Sequence, residues 1–177
     1  MGSILEEIEG LRVPDAFTPV VGFRRFGVPW LHFEPYQYLV QRGHRWTPKA
    51  PTVAQCTRLG GTACGHAVPA QGCGCGLYAW LEVGGALSYG EMDTPKGWVL
   101  ASVIGWGRVL FDEDFWRAQQ AQVIAFADPR DVQPKVLQKG TEAWLERVAA
   151  NYEVPILPLG ELREHTLMYG EEYVENG

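Results

Sequence analysis

All four cysteines of the chain fall in one run, CTRLGGTACGHAVPAQGCGCG (residues 56–76), together with one of its four histidines. The residues able to do chemistry here are Cys56, Cys64, His66, Cys73 and Cys75. Thiolate sulfur and imidazole nitrogen suit zinc, which takes four such ligands in a tetrahedron. Five candidates for four places leave one spare. Cys73 and Cys75 stand in a G-C-G-C-G run. Its glycines allow positive φ, so both sulfurs can turn toward one point. They also let backbone N–H groups approach and stabilise thiolate charge. The C-x-C spacing is not that of a zinc finger or ribbon. A disulfide between residues as close as 73 and 75 fits the geometry of that bond badly. Three readings stay open: a zinc site, an iron–sulfur cluster on three Cys and one His, and reduced cysteines without a metal.

The flanking residues bear on structural against catalytic use. A catalytic zinc keeps one coordination place open and has a general acid or base nearby. Zinc nucleobase deaminases follow H-x-E with P-C-x-x-C. Here Val68 stands where that glutamate would be, and the cysteines read C-x-C. No carboxylate occurs between Glu34 and Glu82. A structural zinc is the better reading, and the chain leans away from being an enzyme. The run Gly72-x-Gly74-x-Gly76 is not a dinucleotide fingerprint, and no P-loop occurs. A nucleophilic pair such as Cys64 with His66 stays open, with metal ligation the simpler account. His32, His44 and His165 read as ordinary histidines.

Around this run, the elements read as strands first and helices later. Residues 3–12 place Ile4, Leu5, Ile8 and Leu11 at helical spacing behind Ser3. Residues 20–40 hold short runs rich in Val, Phe, Tyr and Trp. Residues 41–52 read as a loop, and residues 77–89 as a strand or a helix start. Residues 96–111 read as two strands or one long bent strand, with Gly105 and Gly107 marking a bulge or bend. Residues 112–127 change period: acidic residues come first, then an apolar stripe at i, i+3, i+4, which predicts a helix. Thr141 reads as the cap of a second helix carrying Trp144, Leu145, Val148 and Tyr152. The tail is punctuated by proline. The sum predicts one α+β domain over 1–177, with a mainly antiparallel sheet or small barrel. Two or three helices flank it, with a metal-stapled glycine-rich loop at 56–76 and a helical C-terminal part at 112–165.

Of the 177 residues, 46% are hydrophobic and 20% charged, which is a globular composition and not a disordered one. The acidic N-terminus lacks the pattern of a signal peptide, and no run has the length of a membrane span. A cytoplasmic protein without membrane attachment is expected, and there clustered thiols serve as ligands or catalysts more often than as disulfides. The formal net charge of −6 argues against a general nucleic-acid binder. Yet residues 20–60 carry six Lys/Arg against one Glu, whereas residues 61–177 carry eight against sixteen Asp/Glu. The basic segment 22–58 interleaves charge with rings at Phe23, Arg24, Arg25, Phe26, Trp30, His44, Arg45 and Trp46. Such a segment can hold phosphates and stack bases, or face a protein partner. Arg24, Arg25, Arg45 and Trp46 are its candidate ligand-binding residues.

One set of residues carries a resemblance: Gly22-Phe23-Arg24, Trp46, Cys56, His66-x-x-Pro69, Cys73-x-Cys75-Gly76-x-Tyr78-Ala79 and Gly105-Trp106-Gly107-x-Val109. Over about residues 22–125 the chain resembles small uncharacterised bacterial and phage proteins. The resemblance brings no activity with it. It implies a ligand set of Cys56, His66, Cys73 and Cys75, because Cys64 has no counterpart in the shared pattern. Three functions follow: a zinc-stapled binding or regulatory module for nucleic acid or a protein partner, a zinc-dependent hydrolase or thiol redox enzyme, or an iron–sulfur sensor.

Overall fold

A computed structural model describes residues 18–27, 39–41, 44–56, 64–88, 98–133 and 135–173. The helix expected at 3–12, the aromatic stretch 28–38, and Arg42 and Arg58 lie outside these residues.

The chain runs β1 (Val20–Gly27), β2 (Val40–Gln41), β3 (His44–Arg45), β4 (Thr52–Val53), β5 (Leu77–Trp80), α1 (Val83–Ser88), β6 (Trp98–Phe111), β7 (Phe115–Ala127), α2 (Pro129–Val132), α3 (Lys135–Tyr152), β8 (Ile156–Leu157) and α4 (Leu159–Leu167). The fold is α+β with a mainly antiparallel sheet. β6 pairs with both β1 and β7, and β5 pairs with both β7 and β1. Those four strands therefore form a ring. The ring is partly closed, because the β1–β5 seam is a single pair, Phe23 opposite Trp80. β2 and β3 make a separate two-stranded antiparallel sheet that overlaps the predicted 41–52 loop.

Residues 98–111 are one strand, bent as expected. Two residues of β6, Gly107 and Arg108, stand against Gln119 alone, and Gly107 takes φ +77°. That bulge, and a second at Ile124 of β7, increase local twist and let so few strands curl toward closure.

Residues 115–127 correct the sequence reading. They form β7 and not a helix, so the helical part expected over 112–165 starts only at Pro129. Trp116, Ala118, Ala121 and Val123 are buried. They suit a helical stripe as well as a strand whose phase slips once. β6 decides between the two by pairing along almost the whole length of β7. Partner contacts of this kind override local preference. Thr141 is also not a cap: α3 begins at Lys135, and Thr141 is buried within it. Packing of Trp144, Leu145, Val148 and Tyr152 outweighs the ~1 kcal/mol that Gly140 costs a helix.

One large side chain lies among the smallest residues of the ring. Trp116 is fully buried and donates from Nε1 to the Val21 carbonyl at 2.8 Å. A Cβ on Gly22 or Gly105 would lie 2.5 Å from its indole, and Ala79 and Ala118 complete the small-residue wall. Each of the four strands thus contributes a small residue around one large one. Outside the ring, α3 covers one side through Trp144, Leu145 and Val148. Leu162 of α4 and Ala86 of α1 cover Phe23 and Leu100 on another. No helix among the described residues is long and apolar enough to cross a membrane.

Candidate metal centre

The position of the cysteine segment follows from the register of β7. Thr52 and Val53 of β4 pair with Ala121 and Gln120, and Ala54 N–H donates to the Gln119 carbonyl at 2.8 Å. Leu77 of β5 pairs with Ala118, the next position along. β4 and β5 thus lie on one line along β7, and residues 55–76 are an excursion whose ends are one strand step apart. Cys56 comes two residues after Ala54, and Cys75 two residues before Leu77. The thiols sit at the neck.

Local geometry turns the neck inward. Gly76 takes φ +116°, and a Cβ there would lie 3.0 Å from Pro69 and 3.1 Å from the Cβ of Arg117, so only glycine fits. Gly72 also takes positive φ, whereas Gly74 does not. Arg117 on β7 clamps the excursion from below. Its Nη1 donates to the carbonyls of Ala70 (3.3 Å), Cys75 (3.4 Å) and, most closely, Cys73. The Arg117 side chain is 12% exposed, and its Nε lies 3.8 Å from Asp112. Tyr78 donates to the Gly74 carbonyl at 2.6 Å.

Cys56, His66, Cys73 and Cys75 present donor atoms that all lie within 4.8 Å of one another, close enough to hold one metal ion. The Cys56 sulfur is 3.5 Å from that of Cys73 and 3.6 Å from Nε2 of His66. A tetrahedral ion with sulfur at about 2.3 Å and nitrogen at about 2.0 Å separates S from S by about 3.8 Å and S from N by about 3.6 Å. The spacing therefore fits a cation, and the sulfurs are too far apart for a disulfide. His66 is oriented as a ligand needs. Its Nδ1–H donates to the Ala67 carbonyl at 2.9 Å, which leaves the Nε2 lone pair facing the sulfurs.

Crowding the thiols shapes their acidity. The Cys56 thiol, then Cys75 through its side chain and backbone N–H, then His66, bring Cys73 down to about 7. Its neighbours go the other way. The Cys64 thiol beside Cys56 is the largest influence pushing that group up, and burial pushes Cys75 up. Hydrogen bonding to the Ala67 carbonyl, then to Cys73, raises His66. Three thiolates this close repel one another, so the arrangement favours one anion among protonated neighbours. A bound dication removes that restriction, because a coordinating thiol is deprotonated outright.

Cys64 is not among the four mutually close donors. The candidate residues of the basic segment do not gather. Arg24 donates to the Tyr78 carbonyl at 2.5 Å, while Arg25 lies 4.0 Å over the Trp98 ring and donates to the Leu87 carbonyl. Trp46 is fully buried and packs edge-on against Phe26 at 5.1 Å, so its ring is not offered to an outside base. Arg45 is exposed. No local pattern points to Arg117: its place opposite Tyr78 exists only once residues 115–127 are a strand.

Fold and site together define an α+β protein with a partly closed four-stranded ring and a Cys3His cluster at the neck of a loop. No family model matches the chain, and neither a curated protein nor a solved structure matches it.

Proposed function

We propose that the chain is a zinc-binding module in which Cys56, His66, Cys73 and Cys75 hold one Zn²⁺ as a structural ion, and that it recognises a partner rather than catalysing a reaction. The observation that carries this reading is the convergence of three thiols and one correctly oriented imidazole at the neck of the 55–76 excursion. Four protein donors fill a tetrahedron and leave no place for a substrate or an activated water. The set holds no carboxylate to act as acid or base. The ion, when bound, neutralises the thiolates; Arg117 and the Cys75 amide hold the loop backbone and the Cys73 sulfur in place. Closing a loop of this length costs on the order of 3 kcal/mol, and a structural zinc offsets that readily. Thiols kept reduced for a metal suit the cytoplasm. A protein partner is better supported than nucleic acid, because Arg24, Arg25 and Trp46 are engaged within the fold.

Metal analysis of protein purified under reducing conditions should give one zinc per chain, and Cys73→Ser should remove it. Backbone amides in 64–76 should then exchange faster, while those of β6 and β7 stay protected. Iron with acid-labile sulfide and visible colour would replace zinc with a cluster. Purified chain without any metal would sink the reading. Binding to single-stranded DNA or RNA at low salt should be absent; binding that weakens steeply with salt would restore the nucleic-acid alternative.

A further inference from the structure

The fourth thiol, that of Cys64, has a position that coordination does not explain. Cys64 N–H donates to the Cys56 carbonyl at 3.2 Å. That bond sets the two residues side by side on neighbouring stretches of backbone, as the short Cα separation of a disulfide, about 4.4–6.8 Å, requires. The Cys64 thiol is also the strongest influence on the acidity of the Cys56 thiol. Both residues are half-buried and open to a small oxidant. The other two ligand sulfurs are held differently. The Cys75 amide supports Cys73, the Ala70 amide supports Cys75, and Arg117 fixes the carbonyls around them. Cys56 is thus the ligand with a spare thiol kept beside it.

We infer that Cys56 and Cys64 form an oxidative modification site, a thiol pair that closes to a disulfide under hydroperoxide and thereby releases the ion held with His66, Cys73 and Cys75. The inference rests on the zinc reading above. In the first step the Cys56 thiolate attacks a peroxide oxygen, the O–O bond breaks, and hydroxide leaves and takes up a proton from solvent. Cys56 is then a sulfenic acid. In the second step the Cys64 sulfur attacks the Cys56 sulfur, the S–O bond breaks, and the leaving hydroxide takes the Cys64 proton. Two electrons pass from the sulfurs to the peroxide, one disulfide forms and two waters are produced. Cys56 no longer offers an anionic sulfur, and three donors remain where four stood. A dithiol reverses the step, so zinc occupancy follows the local redox state.

The test uses the full chain loaded with zinc, titrated with hydrogen peroxide in the presence of a chromophoric zinc indicator. One zinc should appear per disulfide formed. Peptide mapping should find Cys56 joined to Cys64, two hydrogens lighter, and dithiothreitol with zinc should restore the starting state. Cys64→Ser should load zinc as the parent does and release it at least about tenfold more slowly. Cys64→Ala should behave in the same way, which guards against an effect of the serine itself. Equal release from parent and both variants overturns the inference while leaving the zinc centre intact. Mapping of the bond to Cys56–Cys73 or Cys73–Cys75 overturns it as well. A parent that never loads zinc sinks the metal reading, and this inference with it.

Discussion

The inside of the ring and the neck of the excursion share β7, yet they are held by opposite means. Trp116 points into a cage of small residues, and shape with one hydrogen bond fixes it: Gly22 and Gly105 give the indole its room, and Val21 accepts its N–H. One residue further along the chain, Arg117 serves the other side. It donates to three carbonyls of a loop whose cluster residues are mostly exposed or half-buried. The ring is complete with protein atoms. The neck crowds three thiols and becomes electrostatically comfortable only around a cation. Neighbouring positions on one strand thus divide the labour between a core that needs nothing and a loop that needs a ligand.

The largest effect should come from emptying the ring. Trp116→Ala should cost about 3–5 kcal/mol, read as a lowered denaturant midpoint, with chelator making little difference to the loss. A loss that disappears when zinc is removed would mean that ring and neck are one cooperative unit, and the contrast would fail.

A buried hydrogen-bond hub lies between those two extremes. Tyr152 of α3 is buried, donates to the Trp46 carbonyl at 2.6 Å and accepts from Leu39 N–H at 3.0 Å. It holds the segment entering the excursion with neither a metal nor an indole cage. Tyr152→Phe leaves two buried backbone groups unpaired and should cost about 1–3 kcal/mol. Burial pushes the Tyr152 hydroxyl up to about 12, against about 10 in an unfolded chain. Its folded-state value is raised, so its contribution is fully present below pH 10 and is lost as pH rises through 12. Alkaline melts should show that loss in the parent, and a shallower fall between pH 10 and 12 in Tyr152→Phe. An identical fall in both would remove Tyr152 from the account.

The same two regions show why one part of the molecule was legible in sequence and another was not. The cysteine cluster stood out because few residue types hold a metal, and Cys56, His66, Cys73 and Cys75 are brought together by the fold. β1 and β6 were legible because runs such as VVGF and WVLASVIG are apolar on both faces and too β-branched for a helix. β7 was not. FWRAQQAQVIAFA fits a helical stripe as it stands, and the slip in its strand pattern is caused by bulges that belong to the β6 pairing. The error spread: with β7 read as a helix, Trp116 had no cage and Arg117 had no loop above it. The tail was also underread, since β8 docks parallel on β7 and α4 packs Leu162 on Ala125 and Ala127 without any strong local signal. In the basic segment, the sequence showed charge beside rings but not that Arg24 and Arg25 would spend their donors on the carbonyls of Tyr78 and Leu87.

Smaller effects sharpen the contrast within the neck itself. Arg117→Gln removes a charged, half-buried clamp and should weaken zinc about 10–100-fold, measured by competition with a chromophoric chelator, with the ring's unfolding little changed. Arg117→Lys should recover only part, because the lysine Nζ stops one bond short of the position from which Nη1 reaches the three carbonyls. Tyr78→Phe should do least. Tyr78 donates to the Gly74 carbonyl at 2.6 Å, but that bond is exposed to solvent, and its ring keeps its place 5.8 Å from Phe115. Water can replace the lost hydroxyl, so the net loss should stay at or below about 1 kcal/mol and zinc affinity should change by less than about fivefold. A larger drop for Tyr78→Phe than for Arg117→Gln would show that the neck is held by its solvent-facing hydrogen bond rather than by the charge beneath it.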